Sequence, residues 1–328
     1  MTFEADIRHA AAGLCLPNPV LSIVVPVRDE EDAIPVFIDR VVSVVTALND
    51  AAAASFEILF IDDGSADGSL DLLRSANAVD GRIRVLSFSR NFGKEAALTA
   101  GLDHARGDAV VPMDADLQDP PEVLGAMIAK WREGFEIVDA IRSNREADSA
   151  GKRITAHLFY RAHNRLSTDK IPENAGDFRL LDRKVVDVIR AMPERSRFMK
   201  GLFAWPGFRQ AAVTYARQPR QVGTTKFGYW KLWTFALDGI TATSTLPLRV
   251  WSYVGVSIAA LALAYASFIV ARTLIFGIDV PGYASLIVAI LFLGGLQLLS
   301  LGIIGEYIGR ILVETKQRPL YVVREQIG

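Results

Sequence analysis

The chain has 328 residues, 51% of them hydrophobic, long enough for two or three structural units. Its 36 basic and 37 acidic residues nearly cancel, and a net charge of −1 argues against nucleic acid as a partner. The single cysteine, Cys15, excludes an intrachain disulfide and a cysteine metal site.

Residues 1–18 read as a loose N-terminal arm. MTFEADIRHAAAG mixes acidic and basic residues and has no apolar core, so no signal peptide is expected. LSIVVPV (21–27) is a continuous β-branched run and predicts a buried strand. AIPVFIDRVVSVVTAL (33–48) has apolar residues at helical spacing. FEILFID (56–62) predicts a second buried strand, stopped by the turn-forming DGSADGS. Residues 69–78 are helix-like, 82–89 strand-like, 93–105 helix-like, and DAVVPMD (108–114) a short buried strand. Strands alternating with helices predict an α/β domain with a mostly parallel sheet over residues 19–228. Ligands of such sheets bind at the carboxyl ends of the strands, and Arg28–Glu31, Asp62–Ser65 and Asp114–Asp116 all fall there.

Beyond residue 120 the pattern is more basic and less regular. GFEIVDAIRSNR (134–145) contains a strand followed by arginines, and ITAHLFYRAHNRLS (154–167) is amphipathic. Residues 229–249, rich in aromatics with a basic flank, suit a helix lying in a membrane interface. The runs 250–271 and 283–305 carry no charged side chain, and each reaches the roughly 20 apolar residues that a bilayer crossing needs. A pair of buried core helices is the alternative. Arg249 precedes the first run, and Arg310, Lys316, Arg318 and Arg324 follow the second. The connecting loop has Asp279, with Arg272 at its edge. That asymmetry places the front domain and the tail, 306–328, in the cytoplasm.

MDADLQDPPE (113–122) holds three aspartates within six positions. In a strand end, side-chain alternation points Asp114 and Asp116 the same way. With the amide of Gln118 they supply oxygen ligands suited to Mg²⁺ or Mn²⁺ bridging to a substrate diphosphate. A solvated acidic turn is the bland alternative. FIDDGSADGS (60–69) adds a carboxylate pair able to accept hydrogen bonds from a nucleoside, or to form an ordinary Asp-Gly turn. Neither a P-loop nor a GxGxxG fingerprint is present.

VVPVRDEE (24–31), DDGSADGS (62–69), SRNFGKEAALTAGLDHARGD (89–108), MDADLQDPPE (113–122), GDFRLLDR (176–183), QVGTTKFGYWKLW (221–233) and the tail 294–323 together resemble the family-2 glycosyltransferases that load polyprenyl phosphates. The likeness is strongest to the bactoprenol (undecaprenyl-phosphate) glucosyltransferase subgroup and extends to dolichyl-phosphate mannose synthases. It implies a GT-A-like (Rossmann-like) catalytic domain, an interfacial helix and a two-helix transmembrane hairpin in a bacterial inner membrane. It also implies a UDP-sugar donor, a polyprenyl phosphate acceptor and a homo-oligomer. Pro26, Glu30, Asp62 and Asp63 would then frame the uridine, and Asp114, Asp116 and Gln118 would bind the metal. Lys226 and Arg220 would neutralise the departing nucleotide, and Arg142, Lys152 and Arg153 would receive the lipid phosphate. Asp177 is the family's usual candidate base; a salt bridge to Arg179 or Arg183 is the alternative. Arg28 and Asp29 depart from the family's first motif, which has an uncharged residue and Asn there. A processive synthase would carry QxxRW and more spans, and neither is found. Mannosyl or aminoarabinose transfer and a non-catalytic membrane scaffold remain as rivals.

Overall fold

The computed structural model describes residues 20–48, 55–142, 175–195, 197, 199–215, 246–276 and 282–328. The expected arm (1–18), the amphipathic stretch 154–167 and residues 229–245 lie outside them.

The first two strands form where the β-branched runs predict them, β1 (Leu21–Val27) and β2 (Phe56–Asp62). β3 (Ile83–Phe88) and β4 (Ala109–Pro112) complete a parallel core in the order β4-β1-β2-β3. Every residue of β2 is buried, as expected of a strand covered on both faces. On one face lie α1 (Ala33–Ala47), α2 (Ser69–Val79) and α4 (Leu124–Arg132), packing Phe37, Val41, Leu73 and Met127 onto Ile23, Val25, Ile58 and Phe60. The other face carries α3 (Lys94–His104), α5 (Arg183–Ala191) and α6 (Met199–Ala204), which cover Val24, Leu59 and Ile61. α3 lies especially close to the sheet: a Cβ on Gly101 would stand 2.0 Å from Val24 Cγ1, so only glycine fits there.

Four strands extend this core, to the full order β7-β5-β6-β4-β1-β2-β3-β8. β6 (Ala175–Asp182) runs antiparallel to β4 and to β5 (Ile137–Arg142), while β7 (Gln210–Tyr215) is parallel to β5. The reversal of β6 has a consequence for the site: its amino end, at Ala175–Asp177, lies on the edge where the parallel strands have their carboxyl ends.

The two charge-free runs lie within long helices, α7 (Leu246–Phe276) and α8 (Tyr283–Lys316). Residues 246–249, expected in the interfacial helix, are already part of α7. Within α8, Phe292–Lys316 is long and apolar enough to cross a membrane, with mean hydropathy 1.5. Val256, Leu261, Phe268, Ile290 and Leu298 are exposed on the two helices, a patch that a lipid environment would cover. The segment expected as a tail is not an appendage. Residues 306–316 continue α8, and β8 (Val323–Ile327) is an edge strand antiparallel to β3. Arg74 anchors it through Glu325 (2.5 Å), Tyr321 stacks on Phe88 (5.1 Å between centroids), and the Tyr321 hydroxyl donates to Asp103 (2.9 Å).

Candidate active site

The loops leaving β1 and β2 are tied to each other by their polar side chains. Asp29 sits at φ 53°, in the left-handed region, where its carboxylate accepts from Ala66 N (2.8 Å) and its own N–H donates to Ser65 Oγ (3.0 Å). The Glu30 N–H donates to Ser69 Oγ, and Glu31 accepts from Gly68 N. The departure at Asp29 thus forms part of a loop-to-loop clasp, while Arg28 faces Asp29 within its own loop (3.6 Å). Asp62 is 1% exposed and faces inward, accepting from Ser65 N (3.0 Å) and Ser87 Oγ (2.7 Å). Both oxygens of Asp63 receive backbone N–H groups, from Phe92 (2.6 Å) and Gly93 (3.0 Å). Burial pushes the Asp63 carboxyl up from its ordinary pKa, against the lowering effect of those two bonds. Pro26, next to last in β1, and Glu30 are half-buried at the same edge.

The acidic run departs from its expected form. β4 ends at Pro112, two residues early, and Leu117 at φ 53° closes a turn, so strand alternation does not place Asp114 and Asp116. Asp116 accepts the Gln118 N–H at 3.1 Å. Asp114 meets a residue that the sequence reading left without a role. The ammonium of Lys94 lies 2.7 Å from Asp114 and 2.8 Å from Asp177 and joins the two carboxylates. Burial alone lowers the pKa of this ammonium, but Asp114 and Asp177 more than reverse that and hold it well above the ordinary lysine value. A signal for Lys94 was available: a cation in the first turn of a helix opposes the helix dipole and needs a compensating partner. Asp177 therefore pairs with neither of the expected arginines. Arg179 is buried against Asp139 (3.3 Å), and Arg183 donates to the carbonyls of Ala105 and Gly107.

Arg142 closes the edge as the last residue of β5. Its Nε donates to the Tyr215 hydroxyl (3.3 Å), and Nη2 lies 3.6 Å from Asp119, the third aspartate of the run. Lys152, Arg153, Arg220 and Lys226 lie outside the described residues.

Among the described residues, no three His, Cys, Asp or Glu side chains are grouped to hold a metal ion. Mg²⁺ or Mn²⁺ held by one or two carboxylates and completed by substrate phosphates does not need such a cage. Asp114, whose side chain keeps 41% of its surface exposed, and Asp116 fit that donor set.

Residues 22–190 match the family described as glycosyl transferase family 2. The chain belongs to that family. Residues 246–311, spanning α7 and most of α8, match a GtrB C-terminal hairpin. This family-2 enzyme is 53% identical over 94% of its length to an uncharacterized glycosyltransferase of Synechocystis sp., covering 96% of that protein. It is 50% identical over 93% of its length to the bactoprenol glucosyl transferase of Shigella phage SfV, covering 98% of that chain. Among solved structures, a mannosyltransferase from Pyrobaculum calidifontis in complex with GDP-Man and Mn²⁺ aligns over 92% of this chain and 87% of its own, at 17% identity and TM-score 0.44. The α/β domain is GT-A-like, the chain is a glycosyltransferase, and its hairpin marks it as membrane-associated.

Proposed function

We propose that this glycosyltransferase moves glucose from UDP-glucose to undecaprenyl phosphate, or a related polyprenyl phosphate, at the cytoplasmic leaflet of a bacterial inner membrane. The observation that carries this reading is the half-identity, along nearly the whole chain including the hairpin, to bactoprenol glucosyl transferases. The site fits that chemistry. An acceptor phosphate oxygen attacks C1 of the sugar from the face opposite UDP. The bond from C1 to the diphosphate oxygen breaks, its electron pair leaves with UDP, and the anomeric centre inverts.

Such a transfer needs positive charge on the leaving diphosphate and little else from the protein beyond alignment. Asp114, Asp116 and Gln118 are assigned to Mg²⁺ or Mn²⁺, which would supply charge neutralisation on the diphosphate when bound. Lys94, kept cationic by its two carboxylates, adds a fixed positive charge on the same edge. Lys226 and Arg220 are assigned to the departing nucleotide, and Arg142, Lys152 and Arg153 to the acceptor phosphate. Pro26 and Glu30 would line the uridine directly, and Asp62 and Asp63 would act by holding its loops in shape.

Membranes containing the enzyme should transfer sugar from UDP-glucose to added undecaprenyl phosphate, and a chelator should stop the reaction. Transfer from GDP-mannose alone, or from no sugar in a panel of UDP- and GDP-sugars, would overturn the reading.

The hairpin meets the domain at the catalytic edge. α8 leads into β8, whose first residue, Val323, pairs with Phe88 at the carboxyl end of β3, and Ser89 N donates to Val322 O. Chain leaving the domain for α7 thus returns to it after α8, which supports two crossings with both ends cytoplasmic. In a Cys15→Ser background, a cysteine replacing Asp279 should react with an impermeant thiol reagent from the periplasmic side, and one replacing Arg318 should not. The reverse pattern would reject the topology.

Asp177 is engaged by the Lys94 ammonium at 2.8 Å, which suits an orienting role better than proton abstraction. The acceptor needs no base, since a phosphate monoester loses its second proton near pH ~6. The acidic limb of the rate profile between pH 5 and 8 should therefore follow the acceptor's ionisation and keep its shape in Asp177→Asn, even at a lower rate. A limb that vanishes in that variant would make Asp177 the base.

A further inference from the structure

Arg142 does not reach the catalytic edge as a loose side chain. It and Tyr215 are the last residues of the parallel neighbours β5 and β7, and they are register partners, so their side chains leave the sheet together. The Tyr215 hydroxyl donates to the Asp119 carboxylate and accepts from Arg142 Nε, making a directed chain from arginine through tyrosine to aspartate. Asp119 is 5% exposed and Tyr215 6%. The tyrosine ring is wedged edge-on against Phe178, with centroids 6.0 Å apart. Burial, followed by the charge of Asp119, raises the Tyr215 pKa, which keeps the hydroxyl protonated as a donor. Arg142 Nη2 is placed so that a Cβ on Gly176, the residue before Asp177, would lie 3.6 Å from it.

We propose that Asp119 and Tyr215 are positioning residues that pre-set the Arg142 guanidinium to receive the acceptor's phosphate. The proposal rests on the role given to Arg142 above. A buried carboxylate is costly unless it is hydrogen-bonded and paired, and Asp119 obtains both by binding the hydroxyl and facing the guanidinium. Arginine is otherwise rich in rotamers, and a guanidinium already fixed on its Nε side loses less freedom when it takes a phosphate. Burial works against the charged form of Arg142, but the hydrogen bond to Tyr215 and the charge of Asp119 outweigh it and keep its pKa above the ordinary value. The third aspartate of MDADLQDPPE would then serve the acceptor, where Asp114 and Asp116 serve the donor.

Tyr215→Phe keeps the ring on Phe178 and removes only the hydroxyl. It should raise KM for polyprenyl phosphate by roughly 10-fold, the usual size of a lost bond to a charged group, and leave KM for the UDP-sugar unchanged. Asp119→Asn should act in the same direction. Arg142→Ala should raise the acceptor KM further, and adding Tyr215→Phe to it should change nothing more, because the tyrosine acts through the arginine. If Arg142→Ala raises the acceptor KM but neither Tyr215→Phe nor Asp119→Asn does, the positioning proposal fails and the role of Arg142 stands. If Arg142→Ala leaves the acceptor KM untouched, that role fails and the proposal falls with it. A tyrosine effect that survives in the Arg142→Ala background, or that falls equally on the donor KM, would identify Tyr215 as a packing residue and overturn the proposal.

Discussion

Asp114→Asn is expected to lower glycosyl transfer by about 10²–10³-fold, the usual effect of losing one preorganised electrostatic contact to a transition state. Asparagine keeps the size of the side chain and removes its charge. Two functions would go together: a ligand for the divalent cation, and one of the two carboxylates that hold Lys94 at 2.7–2.9 Å. Asp177 remains 2.8 Å from the ammonium, so Lys94 stays in place and the fold should survive. The measurement is the initial rate against Mn²⁺ or Mg²⁺ concentration for both proteins in the same membranes. The variant should need more metal for half-maximal rate as well as being slower at saturation. An unchanged rate and an unchanged metal requirement would remove Asp114 from the site.

Glu57→Ala should have the largest effect on stability, about 3–5 kcal/mol, because it leaves a buried charge without its partner. Glu57 is 4% exposed and Arg84 5%. Its carboxylate accepts from Ser22 Oγ (2.5 Å), Arg84 Nη1 (2.7 Å) and the Arg106 N–H (2.7 Å), and Ser22 in turn accepts from Gly107 N (2.7 Å). This network joins β1, β2, β3 and the turn before β4 at the amino edge of the sheet. Alanine would leave the buried Arg84 charge without its carboxylate, keeping the His104 carbonyl as an acceptor (3.2 Å), and would remove the acceptor of the Arg106 N–H. At roughly 2–4 °C per kcal/mol for a domain of this size, the midpoint should fall by roughly 6–20 °C. Size-exclusion recovery of the detergent-solubilised protein after heating would read it. Specific activity at low temperature should be little changed, since Glu57 and Asp62 are five residues apart along β2, about 16 Å. Loss of activity without loss of thermal stability would contradict this assignment.

Much of the chain was legible because its signals are local. β1 and β2 begin and end where the apolar runs do, since a strand buried on both faces reads as a nearly continuous hydrophobic run, and the polar Ser22 and Glu57 within them are paired. The helical spacing of 33–48 gave α1 to within one residue, and the two charge-free runs lie inside α7 and α8. The convergence of Arg28–Glu31, Asp62–Ser65 and the acidic run on one edge follows from parallel strand direction alone.

What tertiary structure decided are pairings between residues far apart in the chain. Alternation along an isolated strand could not show that β4 stops at Pro112 or that a turn presents Asp114. Nothing near VREQI, polar and amphipathic at the end of the chain, marks it as a sheet strand. It becomes one because β3 has an open edge, and pairing satisfies backbone groups that would otherwise be left over. β6 carries Asp177 into the site only because it runs antiparallel to β4, and strand direction is a property of the whole sheet. Lys94 meets Asp114 and Asp177 across 20 and 83 residues of chain, and Arg142 meets Tyr215 across 73. Composition and periodicity report how a segment sits against an apolar core. Which cation faces which carboxylate depends on the register of the strands that carry them, and that is set only when the sheet assembles.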